Sequence, residues 1–146
     1  MGRWIRITAT TAAFAAGIAV GTTAQSAFVA SADTQREQVF ELRTYTAAEG
    51  KHDALLTRFR DHTMRIFEKH GMHNVGYWIP QDAPDSENTL IYLLSHASRD
   101  AANASWQAFM EDPEWQAVAE ESQRDGRLIT GLERVYLDPA DFSPMR

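Results

Sequence analysis

Beyond residue 37 the apolar positions switch repeatedly between the alternation of a strand and the 3.6-residue spacing of a helix. QVFELRTYT (38–46) predicts a first strand. From Ala48 to His70, Leu55, Leu56, Phe59, Ile66 and Phe67 recur at helical spacing, with Thr46 and Glu49 placed to form a capping box and Gly71 to stop the helix. MHNVGYWI (72–79) and TLIYLLSHA (89–97) predict two strands joined by the loop PQDAPDSEN. Ser98 is placed to cap a second helical region reaching Gln123 and closed by Gly126, and LITGLERVYL (128–137) predicts the last strand.

This order, β-α-β-β-α-β, predicts an α+β, ferredoxin-like domain over 38–146: a four-stranded antiparallel sheet with both helical regions on one face. Two helices cover only one side of such a sheet. The third strand, Leu90-Ile91-Tyr92-Leu93-Leu94, is nevertheless apolar on both alternating faces. A second copy packed face to face would cover the other side, so the pattern predicts a homodimer whose two sheets close into a dimeric α/β barrel.

The second helical region contains WQAFMEDPEW (106–115). Trp106, Phe109 and Met110 form one apolar triplet, and Trp115, Val118 and Ala119 repeat its spacing nine residues later, half a turn out of phase on a straight helix. Asp112 suits an N-cap and Pro113 the first helical position, so the helix is expected to break there and restart with its phase reset. Trp106, Trp115, Asp112 and Pro113 are then structural, with both tryptophans turned under the sheet.

Residues 1–32 stand apart from this pattern. Arg3 and Arg6 precede an uncharged run ending in Ala30-Ser31-Ala32, a signal-peptidase pattern, and 33–37 form a polar lead-in. The segment is long enough for an uncleaved membrane anchor, but Thr8, Thr10, Thr11, Thr22 and Thr23 make it poorly hydrophobic, and a cleaved secretory signal is expected instead, giving a periplasmic or secreted protein with no stable membrane insertion after cleavage. It holds two arginines and no acid, so its removal leaves 12 Lys+Arg against 20 Asp+Glu, a net charge of −8. An acidic chain with interleaved arginines lacks the basic face that nucleic acid requires. The absence of cysteine excludes disulfides, thiolate metal sites and a cysteine nucleophile.

ELRTY (41–45), EKHGMHNVGYW (68–78), WQAFMEDPEW and DFSPM near the C-terminus together resemble the NIPSNAP family over residues 38–145. The resemblance implies a dimeric α/β barrel, similar to the folds of antibiotic-biosynthesis-type monooxygenases, haem-degrading monooxygenases and EthD-like proteins. It does not imply one reaction. Related barrels bind haem through a helical histidine, and the second helical region here has none.

On the first strand Glu41, Arg43 and Tyr45 share one face and Phe40, Leu42 and Thr44 the other. The apolar set is expected to meet the helices, which sends Glu41, Arg43 and Tyr45 toward the barrel interior. There Glu41 and Arg43 either form a packing ion pair, or Arg43 and Tyr45 meet a carboxylate or carbonyl of a ligand. Tyr77 and Trp78 point to opposite faces, and Trp78 and Tyr92 are further candidates to line an apolar cavity. His70-Gly71-Met72-His73 lacks metal-ligand spacing, and no cofactor motif is present, so neither metal nor cofactor is expected. The expected activity is binding of a small, mostly apolar molecule. A cofactor-independent oxygenase or isomerase, with a histidine or Tyr45 carrying a proton, and a ligand-free scaffold are the alternatives.

Overall fold

A computed structural model describes residues 38–145; the expected signal segment and lead-in lie outside the described residues. Strand β1 (Val39–Ala47) is followed by helix α1 (His52–Arg58), a π-helical turn (Phe59–Thr63) and helix α2 (Met64–Lys69). Then come β2 (His73–Trp78), a short 3₁₀ turn (Asp85–Glu87), β3 (Thr89–His96), α3 (Arg99–Glu111), α4 (Pro113–Ser122) and β4 (Ile129–Leu137). The strands form one antiparallel sheet in the order β2-β3-β1-β4, with the two helical regions packed on one face, the ferredoxin-like plan. Among the described residues no helix is long and apolar enough to cross a membrane.

Two features of the first helical region differ from expectation. Thr46 remains in the strand, and the chain turns at Gly50 (φ 68°) before the helix begins behind Lys51, which makes no side-chain cap. The capping box therefore does not form. The helix is also not uniform, because the π turn inserts an extra residue between α1 and α2, and the Met64 N–H reaches back to the Phe59 carbonyl. With that insertion Leu55, Arg58, Phe59, Thr63, Ile66 and Phe67 are all buried. Gly71 adopts φ 75° and ends α2, as its position suggests.

The second helical region breaks where its sequence predicts. Ser98 caps α3, accepting a hydrogen bond from the Ala101 N–H at 3.1 Å. Asp112 is extended (ψ 120°), as a residue before proline must be, and Pro113 opens α4. The Asp112 carboxylate accepts from the Glu114 N–H at 2.8 Å, the Lys69 ammonium at 2.7 Å and His70 Nε2 at 2.6 Å. The break is thereby fastened to the end of α2. Both tryptophans come to lie on the core side of the helices, with the Phe109 ring centroid 5.5 Å from Trp106 and 4.3 Å from Trp115.

Hydrogen bonds from Lys69 and His70 hold the Asp112 carboxyl well below the usual carboxylate range. A depressed folded-state pKa adds stability above the unfolded value and loses it as the pH falls. Asp112→Asn should therefore lower the melting temperature at pH 7, and this difference should shrink as the pH drops below about 3.9. Thermal unfolding at stepped pH would show it.

Candidate functional site

The face of β1 turned to the helices is opposite to the expected one. Glu41, Arg43 and Tyr45 point under α3 and α4, while Phe40, Leu42 and Thr44 face away from the helices. Glu41 decides this. Its fully buried carboxylate accepts hydrogen bonds from Trp106 Nε1 at 2.6 Å and His96 Nε2 at 2.9 Å, and Arg43 Nε lies 3.7 Å from its second oxygen. Burial pushes the Glu41 pKa up, but the donors His96 and Trp106 and the charge of Arg43 outweigh it, and the group remains a stronger acid than usual. Hydrophobicity alone would have turned Phe40 and Leu42 inward; two matched donors and the Arg43 ion pair on the helix side reverse that preference.

Arg43 is itself buried, its guanidinium 4.0 Å from the Trp106 ring centroid and 5.5 Å from that of Tyr45. Beyond it a cavity of about 220 Å³ lies between the sheet and helices and opens to solvent beside the exposed Met110 and Gln123. Its walls are aromatic: Tyr45 from the sheet, Phe59 and Phe67 from the first helical region, Trp106, Phe109 and Trp115 from the second. Edge-on contacts fix these rings, among them Tyr45–Phe59 at 5.8 Å and Phe67–Trp106 at 5.3 Å. Each of the two helical irregularities supplies part of the wall, the π turn giving Phe59 and Thr63 and the restart at Pro113 giving Trp115 and Ala119.

The polar groups of the cavity wall are Tyr45, Thr63, Gln123 and Arg58. Arg58 is 5% exposed and also borders a groove of about 470 Å³ between α1 and α4. Among the described residues it has no ion pair: Nη1 donates weakly to Ser122 Oγ at 3.4 Å, Nε has no acceptor, and the guanidinium carbon stands 5.2 Å from the Trp115 ring centroid. Burial pulls its pKa down, and the nearby Tyr45 and Tyr92 oxygens only partly offset this. Burial, and next the neighbouring Tyr45, push the pKa of the Tyr92 hydroxyl far up, and the group stays protonated.

Of the residues singled out in the sequence, Glu41, Arg43, Tyr45 and Tyr92 thus gather on the helix side. Tyr45 lines the cavity, and Tyr92 packs behind it with ring centroids 5.2 Å apart. Trp78 does not join them. It is 51% exposed on the opposite sheet face, while its neighbour Tyr77 stacks on Tyr92 at 5.5 Å. Trp106 and Trp115 support the core as expected, and they also wall the cavity. Sequence reasoning missed Arg58 and His96. Arg58 lies three residues after Leu55, on the apolar stripe, and a charge in that position was the available signal. Among the described residues no three His, Asp or Glu side chains converge on a common point that could hold a metal ion.

Removal of the Glu41 carboxylate would strand Arg43, His96 and Trp106 in a buried place. Glu41→Ala should cost about 3–5 kcal/mol of unfolding free energy in urea titration, and Glu41→Gln less, because the amide oxygen still accepts one of the donors.

The NIPSNAP family model matches residues 40–144. A NIPSNAP family protein of unknown function from Agrobacterium tumefaciens has a similar structure, with 28% identity, a TM-score of 0.66, and coverage of 76% of this chain and 96% of that one. A second NIPSNAP family protein from the same organism matches at 28% identity and a TM-score of 0.65, over 75% of this chain and 99% of that one. SnoaB, a cofactor-independent oxygenase from Streptomyces nogalater, shares the fold at 16% identity and a TM-score of 0.50, over 74% and 98% of the two chains. No curated protein matches the chain. The match over nearly all of the described residues, on a four-stranded antiparallel sheet covered by helices, places this chain in the NIPSNAP family.

Proposed function

We propose that the protein binds a small, mostly apolar molecule in the cavity between its sheet and helices, as an exported homodimer. The observation that carries this reading is the cavity itself: an aromatic chamber of about 220 Å³ with a few polar groups on its wall. Sites for drug-sized ligands run from about 300 to 1,000 Å³, so a molecule built on a single ring system suits this one. The cavity opens at the junction of the two helical irregularities, where an apolar ring would cover aromatic surface otherwise left to water.

Dimerisation is supported by the other face of the sheet. Leu42, Ile91, Leu93, Trp78, Val135 and Leu137 lie on the side away from the helices, with Trp78, Val135 and Leu137 each at least 40% exposed. An apolar sheet face of this extent is uncommon on a soluble monomer, and a second copy of the same sheet would cover it. Export rests on the sequence of residues 1–32, an uncharged run behind two arginines that ends in a peptidase-type site.

A second reading, cofactor-independent oxygenase chemistry, follows from SnoaB, the fold neighbour that carries such an activity. In this chain Tyr45 is the phenol on the cavity wall and the group suited to move a proton there. Oxygen uptake in the presence of an oxidisable ring compound would favour this reading over simple binding.

Indole, a neutral ring compound of suitable size, should raise the melting temperature of the protein, and Ala119→Phe, which fills the cavity from α4, should abolish the rise. An equal shift in both proteins would place the ligand elsewhere. Light scattering at micromolar concentration should give twice the chain mass, falling to the monomer for Leu93→Lys; a monomeric parent protein would contradict the dimer.

A further inference from the structure

The two buried arginines beneath the sheet are differently provided for. Arg43 has the Glu41 carboxylate at 3.7 Å and the Trp106 ring at 4.0 Å. Arg58 is as deeply buried and, among the described residues, has no carboxylate partner; it makes a weak hydrogen bond to Ser122 Oγ at 3.4 Å and stands 5.2 Å from the Trp115 ring centroid. Glu121, which shares the groove outside Arg58, is engaged with Arg124. A guanidinium removed from water without an acid is costly, and a fold that needed only packing at this position would be more stable with leucine or methionine. A π turn begins one residue later, a local irregularity of the kind that recurs at functional sites. Arg58 forms part of the wall of the aromatic cavity, and its Nε is an unused donor.

Resting on the reading that this cavity holds a small apolar molecule, we propose that Arg58 is its anion-recognition residue and that the ligand is a small aromatic carboxylic acid. The ring lies among Phe59, Phe67, Trp106 and Trp115, and the carboxylate accepts hydrogen bonds from the Arg58 guanidinium, whose flat fork matches it. A single negative charge neutralises the one guanidinium on the cavity wall, and a monoanion leaves water at far lower cost than a phosphate dianion would. Binding of the acid supplies the counter-charge that none of the described residues gives Arg58. The ligand therefore stabilises the protein as well as filling it.

The test compares cinnamate with cinnamyl alcohol, which has the same ring and chain but no charge, by isothermal titration at neutral pH. The parent protein should bind the acid about ten-fold or more tightly than the alcohol, the effect of one charge-assisted contact. In Arg58→Gln the preference should fall to near one, and Arg58→Lys should restore part of it. Because Arg58 lacks an acid in the empty protein, Arg58→Gln should melt at or above the parent temperature without ligand, a readout that an arginine holding the fold together would move downward. Equal affinities for acid and alcohol in the parent protein would overturn the assignment of Arg58 while leaving the cavity reading intact. Binding of neither compound would overturn both. If Arg58→Gln fails to fold, the acid-to-alcohol ratio in the parent protein and in Arg58→Lys still decides the matter.

Discussion

The buried carboxylate of Glu41 has to be matched where it lies, by two donors from distant parts of the chain and one neighbouring cation. Trp106 comes from α3, His96 from the end of β3, and Arg43 from two residues along β1. Together they fix which face of the central strand meets the helices, because a strand turned over by one residue would leave all of these groups unpaired. With that face chosen, Arg43 is laid on Trp106, Tyr45 is delivered to the cavity wall, and Phe40 and Leu42 are sent to the opposite side of the sheet. The apolar outer face and the polar inner pair are two consequences of one decision.

Two local irregularities then shape what Glu41 has oriented. The π turn in the first helical region lies where Arg58, Phe59 and Thr63 are buried together beneath the sheet. The break at Asp112-Pro113 turns Trp115 back toward the side already occupied by Trp106, and Lys69 and His70 hold that break against the neighbouring helix. Between these two departures from a straight helix lies the cavity. Packing, then, does not close the space beneath the sheet; the same residues that support the core line an opening in it.

The element order, the β3 pattern and the broken helix are legible in the sequence because each is carried by residues near one another in the chain: alternation along 89–96, the half-turn mismatch between two triplets, an Asp-Pro at the restart. The orientation of β1 is not. It depends on partners 55 and 65 residues away from Glu41, and hydrophobic alternation points the wrong way when the polar residues of a strand are the ones satisfied inside. Nor does the π turn leave a mark in composition, since it is one additional residue in an otherwise helical stretch. The tryptophan stretch 106–115 is correctly legible as a broken helix, yet its geometry directs attention to the far side of the sheet, whereas the rings themselves wall the site.

A cavity lined by aromatic rings beside an unpaired guanidinium is the feature in which sequence, fold and function meet. Its walls are built by the sheet face that Glu41 selects and by the two helices that depart from regularity. The most direct measurement is native mass spectrometry of the protein purified gently from its own host, followed by the same measurement after denaturation. A small organic molecule should be bound to the native protein and released on unfolding. The bare polypeptide mass under both conditions, with no stoichiometric adduct, would contradict it.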